Sequence, residues 1–464
     1  MKKKQSTALG TEPIPKLLVK QAVPAAIGIL VMSLNIIVDT IFLGNWIGGL
    51  AISAVTTILP FTFFIAAIGL AVGIGGGSVL SRALGAGDDK KALYVFGNMT
   101  TLTFLASAFL TLSGLLFPNF FIELLGADDS YRDIALTYYR IVLYGIVMLA
   151  MCMMGNNVIR AEGKPKFAMY AMLIPSIGNI VMDYVLINLL DLGMQGAAWA
   201  TFISYALCFT FILWFFVFKS ELRLSFYFLK LKTKIVTEIT GLSFVTLARQ
   251  ATISILTALL IHVLNSYGDA LDAAAYGIIR VMLMFALFPV IGVTQGFMPI
   301  AGYNYGAAHY ARVRETIGTS IKYAGILALL IFIVIMLLPE SIVAIFINNN
   351  TSDTQTLADN AEILKRTPNA LRWVFAATPI IVIQLIGSAY FQAIGKTIPA
   401  LLLSLTKQGF FLIPLILILP RYYGVWGVWI SFPIADVLST LVTAYFLNRE
   451  IKKQPVTSEE LVSE

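Results

Sequence analysis

The chain has 464 residues, 58% hydrophobic and only 12% charged, with a mean hydropathy of +0.85 and a formal net charge of +7. Soluble globular domains carry roughly a quarter charged residues, so this supply is too small to cover a water-facing surface. An ordinary soluble fold is excluded, and so is a nucleic-acid partner, because the basic residues are spread over alternate short loops rather than gathered in a patch.

The polar, basic segment Met1 to Lys16 precedes an apolar run of full span length, which predicts a retained first helix rather than a cleaved leader. Twelve runs long enough to cross a bilayer core as helices are expected at 17–43, 50–80, 92–117, 133–159, 167–190, 194–218, 236–266, 271–301, 314–346, 369–394, 397–420 and 424–447. The reading is an all-α membrane protein of twelve transmembrane helices. The tails and the even-numbered connections hold 22 Lys and Arg, among them Arg82, Lys90, Lys91, Arg160, Lys164 and Lys166, against 5 in the opposite loops. That bias puts both termini in the cytoplasm.

Two features along the runs have structural readings. Gly73 to Gly77 (GIGGG) lacks the Gly-Lys-Ser/Thr ending of a phosphate loop and is expected to let helices pack closely. Cys152 and Cys208 lie inside apolar runs, and His262 and His309 are far apart, so neither a disulfide framework nor a zinc site is expected.

The second half repeats the first. Leu50 to Gly85 aligns without gaps on Leu271 to Gly306, an offset of 221; Ala161-Glu162-Gly163-Lys164 matches Ala393-Ile394-Gly395-Lys396 at 232; Gly196-Ala197-Ala198-Trp199 matches Gly427-Val428-Trp429-Ile430 at 231. An insertion in the polar stretch Asn348 to Thr367 accounts for the shift. Each repeat holds six spans, so the halves enter the bilayer with the same orientation, as in transporters built from parallel repeats. The expected organisation is a cytoplasmic tail (1–16), an N-lobe (17–218), a cytoplasmic linker (219–235), a pseudo-symmetric six-helix C-lobe (236–447) and a cytoplasmic tail (448–464). The linker is basic and aromatic (Phe226, Tyr227, Phe228) and is expected to lie flat on the membrane interface with its lysines near anionic headgroups.

Four segments carry a family resemblance. Pro24 with Asn35-x-x-x-Asp39-Thr40-Ile41-Phe42-Leu43-Gly44, Arg82 to Asp88, Arg160 to Pro165, and Gly196 to Ser204 resemble the multidrug and toxic compound extrusion (MATE) transporters. Leu9 to Ile14 (LGTEPI) resembles the start of the bacterial multidrug efflux subgroup. The resemblance implies a two-lobed bundle in the bacterial cytoplasmic membrane that exports small organic, often cationic, compounds against Na⁺ or H⁺, as a monomer in membrane lipid and without a cofactor.

An ionisable side chain at the bilayer centre costs about 2.5–3.5 kcal/mol on insertion scales, so each one needs a reason. Asp39 and Asp183 are the acids deep in the first half, and Asn35 and Asn179 precede them by four residues, which puts each pair on one helix face. Facing one another, and with the Thr201 hydroxyl, they would offer the oxygen ligands that hard cations take; a buried carboxylate can instead take a proton. The resemblance implies the same set, Asp39, Asn179, Asp183 and Thr201, as a cation site that would hold Na⁺ as a metal ligand set. Pro24 and Pro175 free helical carbonyls, and both are expected near this cluster.

The second half differs. Some members of the resembling family place a Glu on helix seven and an Asp on helix ten, regions that here offer the neutral Gln250 and Gln384, so a second cation site is not expected. Arg249, Arg280, Lys407 and Asp436 lie at or near membrane depth, and Asp436 is expected to pair with Arg280 or Arg249. Gln250, Arg280, Gln384, Asp436 and Pro24 are the candidate substrate or gating residues. A lipid or lipid-linked saccharide flippase is the alternative function, kept by the basic residues of the second half. An enzyme is not expected, because no paired catalytic motif is present.

Overall fold

The computed structural model describes residues 5–222, 225–347 and 354–454, and among them every regular element is a helix. Eleven helices are long and apolar enough to cross a membrane, and a bent pair makes the twelfth. They are α1 (Ile14–Trp46), α2 (Gly49–Gly85), α3 (Asp89–Leu116), α4 (Arg132–Ala161), α5 (Pro165–Leu189), α6 (Gly193–Phe218), α7 (Thr233–Tyr267), α8 (Ala270–Gly306), α9 (Tyr310–Leu337), α10 (Thr354–Ala393), α11 (Thr397–Tyr423) and α12 (Val425–Ile451).

Four helices depart from the regular runs expected above. The run 314–346 is cut at Leu338, which leaves the helical region (φ −127°, ψ 38°) because Pro339 follows it and starts a separate short helix, Pro339–Ala344. α10 begins at Thr354 instead of near 369 and bends by 47° between Phe375 and Thr378. Much of the stretch expected to be a polar insertion is therefore helix; residues 348–353 lie outside the described ones. α5 and α11 each contain a π-helical turn, Tyr184–Leu189 and Thr406–Leu412.

The described residues form two compact units. The first comprises Met1–Leu247 with Gly302–His309 and Ala393–Gly395. In it α4 packs against α2, α3 and α6, and α5 packs against α1 and α6. Tyr139 is fully buried there, with Phe61 packed between it and Phe121 at ring distances of 5.6 and 4.9 Å. The second unit comprises Ala248–Ala301, Tyr310–Gln392 and Lys396–Glu464, with its core around Leu260, Phe375, Ile416 and Trp429. Both units also turn large apolar side chains outward, among them Phe109, Val217 and Leu337, as helices facing lipid must.

The glycine run works as packing surface. A Cβ on Gly73 would lie 2.8 Å from the Asn157 amide on α4, on Gly75 2.5 Å from the Ser243 backbone nitrogen on α7, and on Gly76 2.5 Å from Met99 on α3. Three helices reach α2 within four residues because side chains are missing there. Farther along, the end of α2 crosses the end of α8 through repeat-related residues. A Cβ on Gly85 would collide with the Tyr303 carbonyl oxygen, and one on Gly306 with that of Arg82. Both pairs obey the offset of 221, so the crossing carries the symmetry of the repeat.

The helix ends repeat as well. Asp88 N–H bonds the Ala83 carbonyl (3.0 Å) and Gly87 N–H that of Leu84 (3.2 Å); 221 residues on, His309 bonds Asn304 (2.8 Å) and Ala308 bonds Tyr305 (3.1 Å). This is a Schellman ending, which needs a left-handed residue at its turn. Gly87 supplies it at φ 71°, whereas Ala308 is held at φ 58°. The matched loop glycines Gly163 and Gly395 are left-handed too, at 75° and 83°.

Left-handed geometry costs a residue with a Cβ about 1–2 kcal/mol, so the two turns should respond oppositely to exchange. Ala308→Gly is expected to stabilise the protein by about 1 kcal/mol and Gly87→Ala to destabilise it by a similar amount. Melting temperatures in detergent check this; no shift in either variant would mean the turns are unstrained.

Candidate functional site

The polar residues of the first unit converge from four helices. α1 is one unbroken helix that carries Asn35 and Asp39 on the same face. α5 opposes it with Asn179 and Asp183, and Pro175 stands one turn before Asn179. The Asn35 amide donates to the Asn179 Oδ1 at 2.7 Å. One turn on, the Asp39 and Asp183 carboxyl groups lie within electrostatic reach of each other. Asp183 is fully buried, and among the described residues neither of its carboxyl oxygens accepts a hydrogen bond. The π-helical turn begins at the next residue, Tyr184; such turns re-aim side chains and recur at functional sites.

α4 and α6 close the site. The Tyr138 hydroxyl is 3.4 Å from the Thr201 Oγ1, and Thr201 also donates to the Ala197 carbonyl at 3.0 Å. Tyr138 and Tyr205 both lie within electrostatic reach of Asp39. Neither tyrosine figures among the residues picked from the sequence. The usable signal was spacing: Tyr205 follows Thr201 by four residues and therefore shares its face. Pro24 is elsewhere. It is buried in α1 fifteen residues before Asp39, roughly 22 Å along the axis at 1.5 Å per residue, so it does not bend the helix at the acids.

Two carboxylates are acceptors only and repel each other, so they stay close together inside an apolar bundle only when a proton or a cation lies between them. The residues around the acids fit either ion. The Asn179 and Thr201 oxygens and the orphaned Asp183 oxygens are hard donors, the class that hard cations such as Na⁺ take. The buried phenol of Tyr138 adds a donor that can follow a change of charge.

In the second unit the candidate residues do not form one cluster. Asp436 on α12 pairs with Lys407, whose Nζ is 2.7 Å from Oδ1, and this corrects the expected pairing with Arg280 or Arg249. Lys407 belongs to the π-helical turn of α11, which alters the residue register that a regular helix would present. Gln384 is buried and donates to the Leu403 carbonyl at 3.1 Å, which ties α10 to α11. Gln250 and Arg280 are exposed on α7 and α8, Arg280 near the Tyr276 hydroxyl.

Known proteins resemble this arrangement over its whole length. The MatE family model matches residues 24–185 and 246–418. The multidrug export protein MepA of Staphylococcus aureus is 25% identical over 469 aligned positions, covering 100% of each chain. The FAD transporter of Shewanella oneidensis is 23% identical and covers 96% of this chain and 97% of its own. A solved outward-facing multidrug resistance MATE family transporter of the MOP superfamily superposes with a TM-score of 0.88 at 23% identity, over 98% of this chain and 100% of the other.

The Lys407–Asp436 pair makes a stability prediction. Removing one partner of a buried pair strands the other charge and costs about 3–5 kcal/mol, whereas replacing both with apolar residues is close to neutral. Asp436→Leu is expected to lower the melting temperature sharply and Lys407→Leu/Asp436→Leu to recover most of it. A double variant as unstable as the single one would show that the pair is not the reason.

Proposed function

Because the chain belongs to the MatE family, whose solved members are transporters, we propose that it exports small organic cations by antiport with Na⁺ or H⁺. The observation that carries this reading is the proximity of Asp39 and Asp183, with the Asp183 oxygens left without donors among the described residues. A cation arriving from outside completes the set and stabilises the state that has released its cargo. Cargo and ion favour different states, which is the condition for coupling. Two acids at the centre of the N-lobe favour cationic cargo. The point matters because relatives of similar identity are called a multidrug export protein and an FAD transporter, so relatedness alone does not choose the charge of the cargo.

The protein sits in the bacterial cytoplasmic membrane with both termini inside, as the loop charges argue, and works as a monomer. A lipid flippase would need a basic cavity for a phosphate. Of the three basic residues that keep that reading open, Lys407 is already neutralised by Asp436, which weakens the flippase alternative.

Purified protein in proteoliposomes, with Na⁺ and pH gradients imposed separately, tests the proposal with a fluorescent cationic dye. Dye movement is expected with one of the two gradients and not without it. Asp39→Asn and Asp183→Asn are each expected to fall to the level of protein-free vesicles while remaining folded. Full activity in either variant would remove the acids from the coupling.

Asn35 gives a graded version. Asn35→Ala deletes one hydrogen bond that positions Asn179, worth about 1 kcal/mol. The concentration of the driving ion at half-maximal transport is expected to rise about fivefold, with maximal rate little changed. An unaltered ion dependence would make the Asn35–Asn179 contact purely structural.

A further inference from the structure

Residues 225–232, between α6 and α7, are seated on α3 rather than slack. Their short 3-10 turn, Phe226–Leu229, lies along that helix. The fully buried Asn98 side chain donates to the Lys230 carbonyl at 3.1 Å and accepts from the Lys232 N–H at 2.8 Å. The Thr101 hydroxyl donates to the Leu229 carbonyl at 2.8 Å. Gly97 makes room, since a Cβ there would collide with the Phe228 carbonyl oxygen. Tyr94 meets the Phe228 ring edge-on at 5.0 Å and holds the Lys232 ammonium 3.3 Å from its own ring centroid. Residues 94, 97, 98 and 101 are one helix face, built as a seat for this backbone.

The seat fixes which side chains point away from it. Phe226 is 93% exposed, with Leu231, Lys230 and Lys234 exposed beside it, while Tyr227, 67% exposed, keeps one face 5.9 Å from the Tyr94 ring. In water, such a set would leave two aromatic rings solvated for no gain. The segment runs between the ends of two membrane helices, where the surroundings are headgroups. Apolar rings beside lysines match that zone: the rings enter the acyl boundary and the ammonium groups meet phosphate.

We propose that this seated segment is a binding surface for anionic phospholipid headgroups, with Lys230 and Lys234 on the phosphate and Phe226 and Tyr227 beneath it. It depends on the chain spanning a membrane and not on the efflux reading. Because the backbone is clamped by Asn98 and Thr101, lipid bound there is mechanically joined to α3.

Ser225 is exposed next to the turn, and the natural cysteines Cys152 and Cys208 are buried, so Ser225→Cys in the full chain accepts a fluorophore selectively. In phosphatidylcholine nanodiscs, brominated phosphatidylglycerol is expected to quench that fluorophore at far lower mole fraction than brominated phosphatidylcholine. Each neutralised lysine should weaken the preference about fivefold, hence about 25-fold for Lys230→Gln/Lys234→Gln, which leaves the Lys232–Tyr94 contact in place. Gly97→Val, with every lysine present, should unseat the segment and lose the preference too. Equal quenching by both lipids, or an unchanged preference in the lysine variant, would overturn the proposal, as would full competition by soluble glycerol phosphate. The readout involves no transport, so it can fail while dye efflux survives, and the reverse.

Discussion

Inside the first bundle, a fully buried carboxyl lies near another carboxyl and, among the described residues, accepts from no donor. A side chain in that position has lost its water and gained a repulsive neighbour, and placing an acid at the centre of a bilayer costs about 2.5–3.5 kcal/mol. The rest of the first unit is arranged to keep the two together. α1 runs unbroken past the site, Asn35 bonds Asn179 one turn away, and the π-helical turn starts where Asp183 ends. Had the two acids only a structural task, a neutral pair such as two asparagines would satisfy the same geometry with donors to spare. Acceptors without donors need a positive ion, and in the proposed cycle that ion is the coupling cation.

The two halves share a backbone plan and divide the chemistry. Left-handed turns at Gly163 and Gly395, paired helix endings at Gly87 and Ala308, and the reciprocal contacts of Gly85 and Gly306 all keep the repeat. Charge does not. Asp39 and Asp183 face each other in the first unit, whereas Asp436 in the second is paired with Lys407 at 2.7 Å. A buried ion pair contributes little net stability but is costly to break, so Asp436 has a fixed counter-charge, whereas Asp39 and Asp183 repel one another. Under the proposed function, ion coupling therefore belongs to one lobe only.

Much of this was readable in the residues. Twelve apolar runs, loop glycines at constant offsets and the two Asn-x-x-x-Asp pairs point to helices, repeat and acids without coordinates. What escaped reading depends on local breaks that hydropathy does not register. Pro339 ends a run that remains apolar on both sides, α10 bends at a junction of alanines, and Lys407 reaches Asp436 from a π-helical turn rather than at regular helical spacing. Tyr138 and Tyr205 were hidden for another reason: a phenol in a membrane helix is as ordinary at an interface as at a site, and only its neighbours distinguish the two.

The acid pair of one lobe also bears on how export and ion entry exclude each other. In the proposed cycle, a cationic cargo and a coupling cation both answer the same pair of carboxyls. Once one positive charge has settled there, a second gains less attraction and meets direct repulsion, with little water to screen it. Competition of this kind needs no wire between distant sites. It requires only that cargo reach the field of Asp39 and Asp183, and it explains why a neutralising lysine would be tolerated at Asp436 but would abolish the exchange if it stood beside Asp183.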